Sequence, residues 1–275
     1  MKYLKLIKNI IMYLLIFFLC QIITGFIFGI VISSTFMMKY GINGMISEKA
    51  KMASCIASLS TVMAAVAGII SLVIFTLLFK KRKENLLKIC KFTKVKLGSI
   101  LFSILAAISL SYIAVSILVV AQNVFKMHSA SSAMISASET SVLGIVCGVV
   151  FIPILEEILF RGIIFNELRK NLNIILSIII QALIFAVAHF SLEQGIYTFL
   201  LGVTLAAVYT WTESILSNIT IHIVFNIFGS LIVPYIMKPK TSAAIIYLIF
   251  GFVILIGSLV IMNISLNKNR KVLDV

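Results

Sequence analysis

Apolar residues in this chain come in long blocks separated by short polar breaks. Eight such blocks stand out, at about 9–36, 55–79, 98–125, 140–165, 173–190, 195–211, 214–237 and 242–266. A helix rises about 1.5 Å per residue, so about 20 apolar residues cross about 30 Å of hydrocarbon. Most blocks meet that length. The pattern predicts an all-α polytopic membrane protein with about eight transmembrane helices. The longest polar insert is Lys80 to Lys96, and the Ser-rich stretch Ser129 to Ser141 reads as a loop and helix start. No internal repeat or separate soluble domain emerges.

Composition agrees. Of 275 residues 61% are hydrophobic and 12% charged, about half the charged share of an ordinary soluble domain. Mean hydropathy is +1.18. A soluble enzyme and a disordered chain are both excluded. The net charge of +14 therefore does not point to nucleic acid. The basic residues lie between apolar runs, where anionic lipid head groups are the natural partners. The N-terminal run starts after Lys2, Lys5 and Lys8 and continues past Cys20 to about Phe36. It is too long for a signal-peptide core and is expected to be a retained span. Cys20, Cys55, Cys90 and Cys147 show neither zinc-site nor disulfide spacing.

Lysine and arginine asymmetry sets the expected orientation. The insert after the second span carries Lys80, Lys81, Arg82, Lys83, Lys88, Lys91, Lys94 and Lys96. That insert is expected on the cytoplasmic side. The N-terminus, Arg169 with Lys170, and the tail with Lys268, Arg270 and Lys271 then fall on the same side, while Lys238 and Lys240 oppose the assignment. Both termini are expected in the cytoplasm of a bacterial cell.

Charge is so scarce that each acid and histidine carries information. There are nine acids and three histidines. Two of the acids, Glu156 and Glu157, are adjacent in the fourth block, where an ionised side chain costs about 2.5–3.5 kcal/mol to insert. On a helix Glu157 meets Arg161 at i, i+4, with the acid N-terminal. Glu156 points about 100° away. It has no local cation, which leaves it to act as a general base toward water. Pro153 removes the helical partner of the Val149 carbonyl and predicts a kink.

Two of the three histidines fall in later blocks. His189 has Phe185 one turn before it, and His222 has Asn226 one turn after it. Segments four and five read as a hairpin turning at Arg169 to Asn173, which places Glu156 and His189 at equal depth. The same arithmetic leaves His222 about 10 Å from His189 in depth if the helices are straight.

Glu-Glu-x-x-x-Arg (Glu156, Glu157, Arg161), Phe-x-x-x-His (Phe185, His189) and His-x-x-x-Asn (His222, Asn226) together resemble the CPBP or Abi family, bacterial relatives of Rce1-type CaaX prenyl endopeptidases. Tyr209 to Ile215 is similar to a further family stretch, with Glu213 in place of its Gly and Ile215 in place of its Leu. The resemblance covers about 140–230. It implies an intramembrane endopeptidase with a polar catalytic cavity. Glu156 would activate water, and His189, His222 and Asn226 would position it or stabilise the oxyanion. Glu157, Arg161 and Phe185 would support them. If a divalent metal such as Zn2+ takes part, Glu156, His189 and His222 would hold it. Without one, the glutamate alone activates the water. The division that follows is 1–139 for N-terminal spans, 140–230 for the catalytic core, and 231–275 for the end of span seven, the last span and a basic tail. The partners expected are a peptide or protein substrate and the bilayer. Two other readings use the same residues: a non-enzymatic immunity or interaction protein, and a proton-coupled transporter.

Overall fold

The structure is a computed structural model that describes residues 2–125, 141–237 and 241–273. Lys238, Lys240, Asp274 and the Ser-rich stretch up to residue 140 lie outside the described residues. All secondary structure among the described residues is helical. Helix α1 runs Lys2–Ser47 with a kink at Gly41, α2 is Lys49–Lys81, α3 is the short Leu86–Ile89, and α4 is Leu97–Phe125. Helix α5 is the continuous run Val142–Arg169. Helices α6, Ile174–Val187, and α7, Leu192–Thr212, follow. Helix α8 begins at Ile215 and continues to Met237, and α9 is Thr241–Leu273.

All eight apolar blocks are therefore helical. Among the described residues seven helices are long and apolar enough to cross a membrane. The exception is α6, whose 14 residues rise about 21 Å, short of about 30 Å of hydrocarbon. The block 173–190 reads as a full span because apolar residues continue past the helix end. The chain stops the helix at Ala188, places Phe190 at φ 50, and restarts at Ser191, whose hydroxyl accepts from the Gln194 N–H. A serine N-cap is a strong start signal, and here it outweighs hydropathy. The protein is an all-α polytopic membrane protein.

Helix α5 is not uniformly α-helical. Cys147–Phe151 and Ile158–Phe165 are π-helical, and the α-helical Ile152–Glu157 lies between them. The first π stretch directly precedes Pro153, where the sequence predicts a distortion. A third, Ile227–Ile232, follows Asn226 in α8. Such wide turns occur mostly near functional positions.

The chain divides into two compact units, Tyr3–Asn85 with Ser129–Leu155, and Leu86–His128 with Glu156–Val275. In the first, Tyr13 stacks on Phe79, meets Phe75 edge-on, and accepts a 2.8 Å hydrogen bond from Arg82 Nη1. Thr61 donates to the Gly144 carbonyl at 3.0 Å. In the second, α4 packs along α9 and α8, and the Ser111 hydroxyl bonds the Phe225 carbonyl at 3.0 Å. Helices α6 and α7 approach so closely that a Cβ on Gly202 would lie 2.9 Å from the Ala182 Cα. Small residues permit this in lipid, where van der Waals contact replaces the hydrophobic drive. Every residue discussed below belongs to the second unit.

Candidate active site

The site is assembled around Glu157, which is fully buried. Its Oε1 accepts from Arg161 Nη1 at 2.7 Å and faces His222 Nδ1 at 2.7 Å, and its Oε2 accepts from Asn218 Nδ2 at 3.2 Å. Several donors on one carboxylate offset the cost of taking the charge out of water. The i, i+4 pairing with Arg161 is as the helix spacing predicts. The convergence of α8 on the same carboxylate is a tertiary feature that spacing does not encode.

Glu156 has no cation on its own helix, and its neighbour comes from α8: His222 Nε2 lies 3.6 Å from Glu156 Oε2. The imidazole thus stands between adjacent glutamates, one at each ring nitrogen. Donation of Nδ1–H to Glu157 fixes the tautomer and directs Nε2 toward Glu156. The separation of 3.6 Å is too long for a direct hydrogen bond. Glu156 keeps 18% side-chain exposure where Glu157 has none. One carboxylate is saturated and the other is left open.

His189 sits at the end of α6 and its Nδ1–H donates to the Phe185 carbonyl at 2.8 Å, leaving Nε2 as its outward nitrogen. His189 and His222 both pack edge-on against the ring of Phe185, with centroids 4.8 Å away for His189 and 5.9 Å for His222. The shortness of α6 is consistent with this, since the chain turns back soon after His189. Phe185 also meets Phe160 at 4.9 Å, and the Arg161 guanidinium lies 4.4 Å from its centroid. A cation over a desolvated ring face contributes about 2 kcal/mol. Arg161 Nε and Nη2 have no hydrogen-bond partner among the described residues, so the ring and Glu157 hold this fully buried charge.

Glu156, Glu157, Arg161, Phe185, His189 and His222 therefore form one contact network. Asn226 is placed one turn beyond His222, at the last α-helical position before the π stretch. Three residues were not singled out by the motifs. Asn218 precedes His222 by one turn, and its spacing would have revealed it. Glu193, 3% exposed and with Oε2 unpartnered, follows His189 by four residues on α7. Tyr197, one turn further, lies within electrostatic reach of both Glu193 and Glu156 and packs on Phe225 at 6.2 Å. The signal available for Glu193 was its rarity as an acid, in the short break between the fifth and sixth apolar blocks.

Among the described residues no group of three or more His, Cys, Asp or Glu is arranged to hold a metal ion. Glu156, His189 and His222 are not gathered into such a group.

Taken together, the fold and this network define a membrane protein with a desolvated glutamate–histidine centre. Residues 138–228 match the family model described as type II CAAX prenyl endopeptidase Rce1-like. Two curated bacterial proteins are similar to it. The Bacillus subtilis (strain 168) protein YdiL, whose name describes a membrane peptidase, is 37% identical over 76 residues, 28% of this chain and 31% of its own. The membrane-embedded CAAX protease MroQ of Staphylococcus aureus (strain USA300) is 33% identical over 108 residues, 36% of this chain and 44% of its own. The chain thus spans less than half the length of either relative it matches. No solved structure matches it.

Proposed function

We propose that this protein is an intramembrane endopeptidase that hydrolyses a peptide bond in a membrane-associated or peptide substrate. The observation that carries the reading is the His222 imidazole held between Glu157 and the open Glu156. In the proposed reaction Glu156 accepts a proton from a water as that water attacks the scissile carbonyl, and then passes the proton to the leaving amine. His189, His222 and Asn226 position the water or stabilise the oxyanion. Glu157, Arg161, Asn218 and Phe185 fix the imidazole and so act as positioning residues. The match to the Rce1-like model and the names of the two bacterial relatives support peptide hydrolysis.

The orientation proposed has both termini in the cytoplasm of a bacterial cell. Arg169, just before α6, lies 5.5 Å from the ring of Tyr209 near the end of α7, which supports a pair that leaves from and returns to one side although α6 is short. That side carries Lys88, Lys94, Lys96, Arg169 and Lys170, as the positive-inside rule requires of a cytoplasmic face. Comparative peptidomics of membranes from cells making wild-type or Glu156→Ala protein tests the function and finds the substrate. Identical peptide profiles from the two would overturn it.

A further inference from the structure

The segment from α3 to the start of α4, LLKICKFTKVKL at 86–97, is not a slack loop. Four backbone carbonyls between Ile89 and Thr93 are fastened to the helices that carry the site. Asn166 Nδ2 donates to the Ile89 carbonyl at 2.8 Å, and the Tyr209 hydroxyl to that of Cys90 at 3.2 Å. The Ile215 N–H donates to the Lys91 carbonyl at 3.1 Å, and the Ser214 hydroxyl to that of Thr93 at 2.6 Å. Cys90 itself is buried, and burial pushes its thiol up to about 12.

With its backbone bonded inward, the segment turns a defined set of side chains outward. Leu87, Phe92 and Leu97 are 62%, 40% and 73% exposed. Lys88, Lys94 and Lys96 are exposed between them, and the segment contains no acid. Arg169 extends the basic face, stacking 5.5 Å from the Tyr209 ring, with the exposed Lys170 beside it in sequence. The nearby acids are the exposed Glu84, two residues before the segment, Glu213, which is paired with Lys91 at 2.8 Å, and Glu167 at the end of α5, against which the segment sets Lys88, Lys94 and Lys96. In the chain the segment joins helices long and apolar enough to cross a membrane on either side. Apolar side chains for the acyl boundary, alternating with lysines for the head groups, match an anionic bilayer surface.

We infer that residues 86–97, with Arg169 and Lys170, form a preorganised docking platform for anionic phospholipid at the membrane face above the site. The platform deepens the expectation of anionic lipid partners by assigning it to one built surface. It does not rest on the proteolytic reading, because its test reads no cleavage.

Full-length protein carrying Phe92→Trp and Trp211→Phe is placed in phosphatidylcholine nanodiscs that contain a minor fraction of brominated lipid. Brominated phosphatidylglycerol is expected to quench the F92W fluorescence several-fold more than brominated phosphatidylcholine at the same fraction. Each of Lys88→Gln, Lys94→Gln and Lys96→Gln should reduce that preference by up to about fivefold, and the triple variant should abolish it. Circular dichroism verifies the fold of each variant, and the single variants serve if the triple one does not fold. Equal quenching by the two lipids would overturn the proposal. So would strong quenching by aqueous iodide with none from either lipid. Protection by a soluble acidic peptide, with no preference between lipids, would also overturn it and make this a peptide-binding face.

Discussion

The Glu157–Arg161 and Lys91–Glu213 ion pairs are nearly equal in length, 2.7 and 2.8 Å, and opposite in setting. The first is fully buried, with both partners at 0% exposure and Asn218 and His222 on the same carboxylate. The second lies at the surface, with exposures of 29% and 55%. Distance alone would rank them together. The medium does not. An exposed pair is screened and contributes about 0.2–1 kcal/mol. A buried pair brings little net stability relative to an apolar replacement, yet breaking it strands a charge. The inner pair specifies an arrangement, and the outer pair decorates a turn.

The comparison breaks most sharply at Arg161. Arg161→Met should cost about 3–5 kcal/mol by leaving Glu157 uncompensated, read as a large fall in thermal stability in detergent. Arg161→Lys should fall between, because it keeps the charge and loses the planar contact with Phe185. A stability equal to wild type for Arg161→Met would mean that Asn218 and His222 suffice to hold the carboxylate.

Glu156 offers the next test, since it is the acid of the adjacent pair without a short bond. Glu156→Gln should cost about 1 kcal/mol or less, well below Arg161→Met, because it is nearly isosteric and removes no short hydrogen bond. Cleavage of whatever peptide the peptidomic comparison identifies should fall by about 10²–10⁴. Parallel loss of stability and activity would place Glu156 in the scaffold instead.

Asn218→Ala should cost about 1.5–3 kcal/mol through its lost bond to a charged acceptor. It should also lower turnover more than substrate affinity, because His222 loses a support of its partner carboxylate and not a contact with substrate. A change confined to KM would contradict this.

The smallest effect is expected at Glu213, which ends α7 at φ 50. Glu213→Gly removes the exposed pair, worth about 0.2–1 kcal/mol, and relieves about 1–2 kcal/mol of left-handed backbone cost. The variant should be as stable as wild type or slightly more so in the same melting assay. A loss above about 1 kcal/mol would show that the outer pair is worth more than an ordinary exposed pair.

Much of the inner region was legible because local rules govern it. Glu157 and Arg161 meet through helix spacing, and His189 and His222 stood out as polar groups in apolar blocks. Asn218 obeys the same spacing on the other side of His222. What spacing could not supply was the direction of α8, which sets one imidazole between both glutamates. Hydropathy also could not shorten α6, because apolar residues continue through the turn at His189 and Phe190. In the outer region, the Gly-to-Glu departure at 213 looked like a loop change. Its structural meaning, a left-handed residue paired with Lys91, depends on a segment about 120 residues away in sequence.

The π-helical run Ile158–Phe165 gives α5 a hidden length reserve. Its i→i+5 bonds accommodate one residue more per turn than an α-helix does. Deleting a single residue there would let the ladder close as ordinary α-helix with no break in the chain. Everything beyond would keep nearly its bearing, because the wide turn already carries the extra residue within one revolution. The same deletion in a regular α-helical stretch would turn the rest of the helix by about 100°, and Asn166 would swing away from Ile89 and Tyr209. The π run is therefore a place where α5 can lose a residue and still keep the glutamates and Asn166 in register.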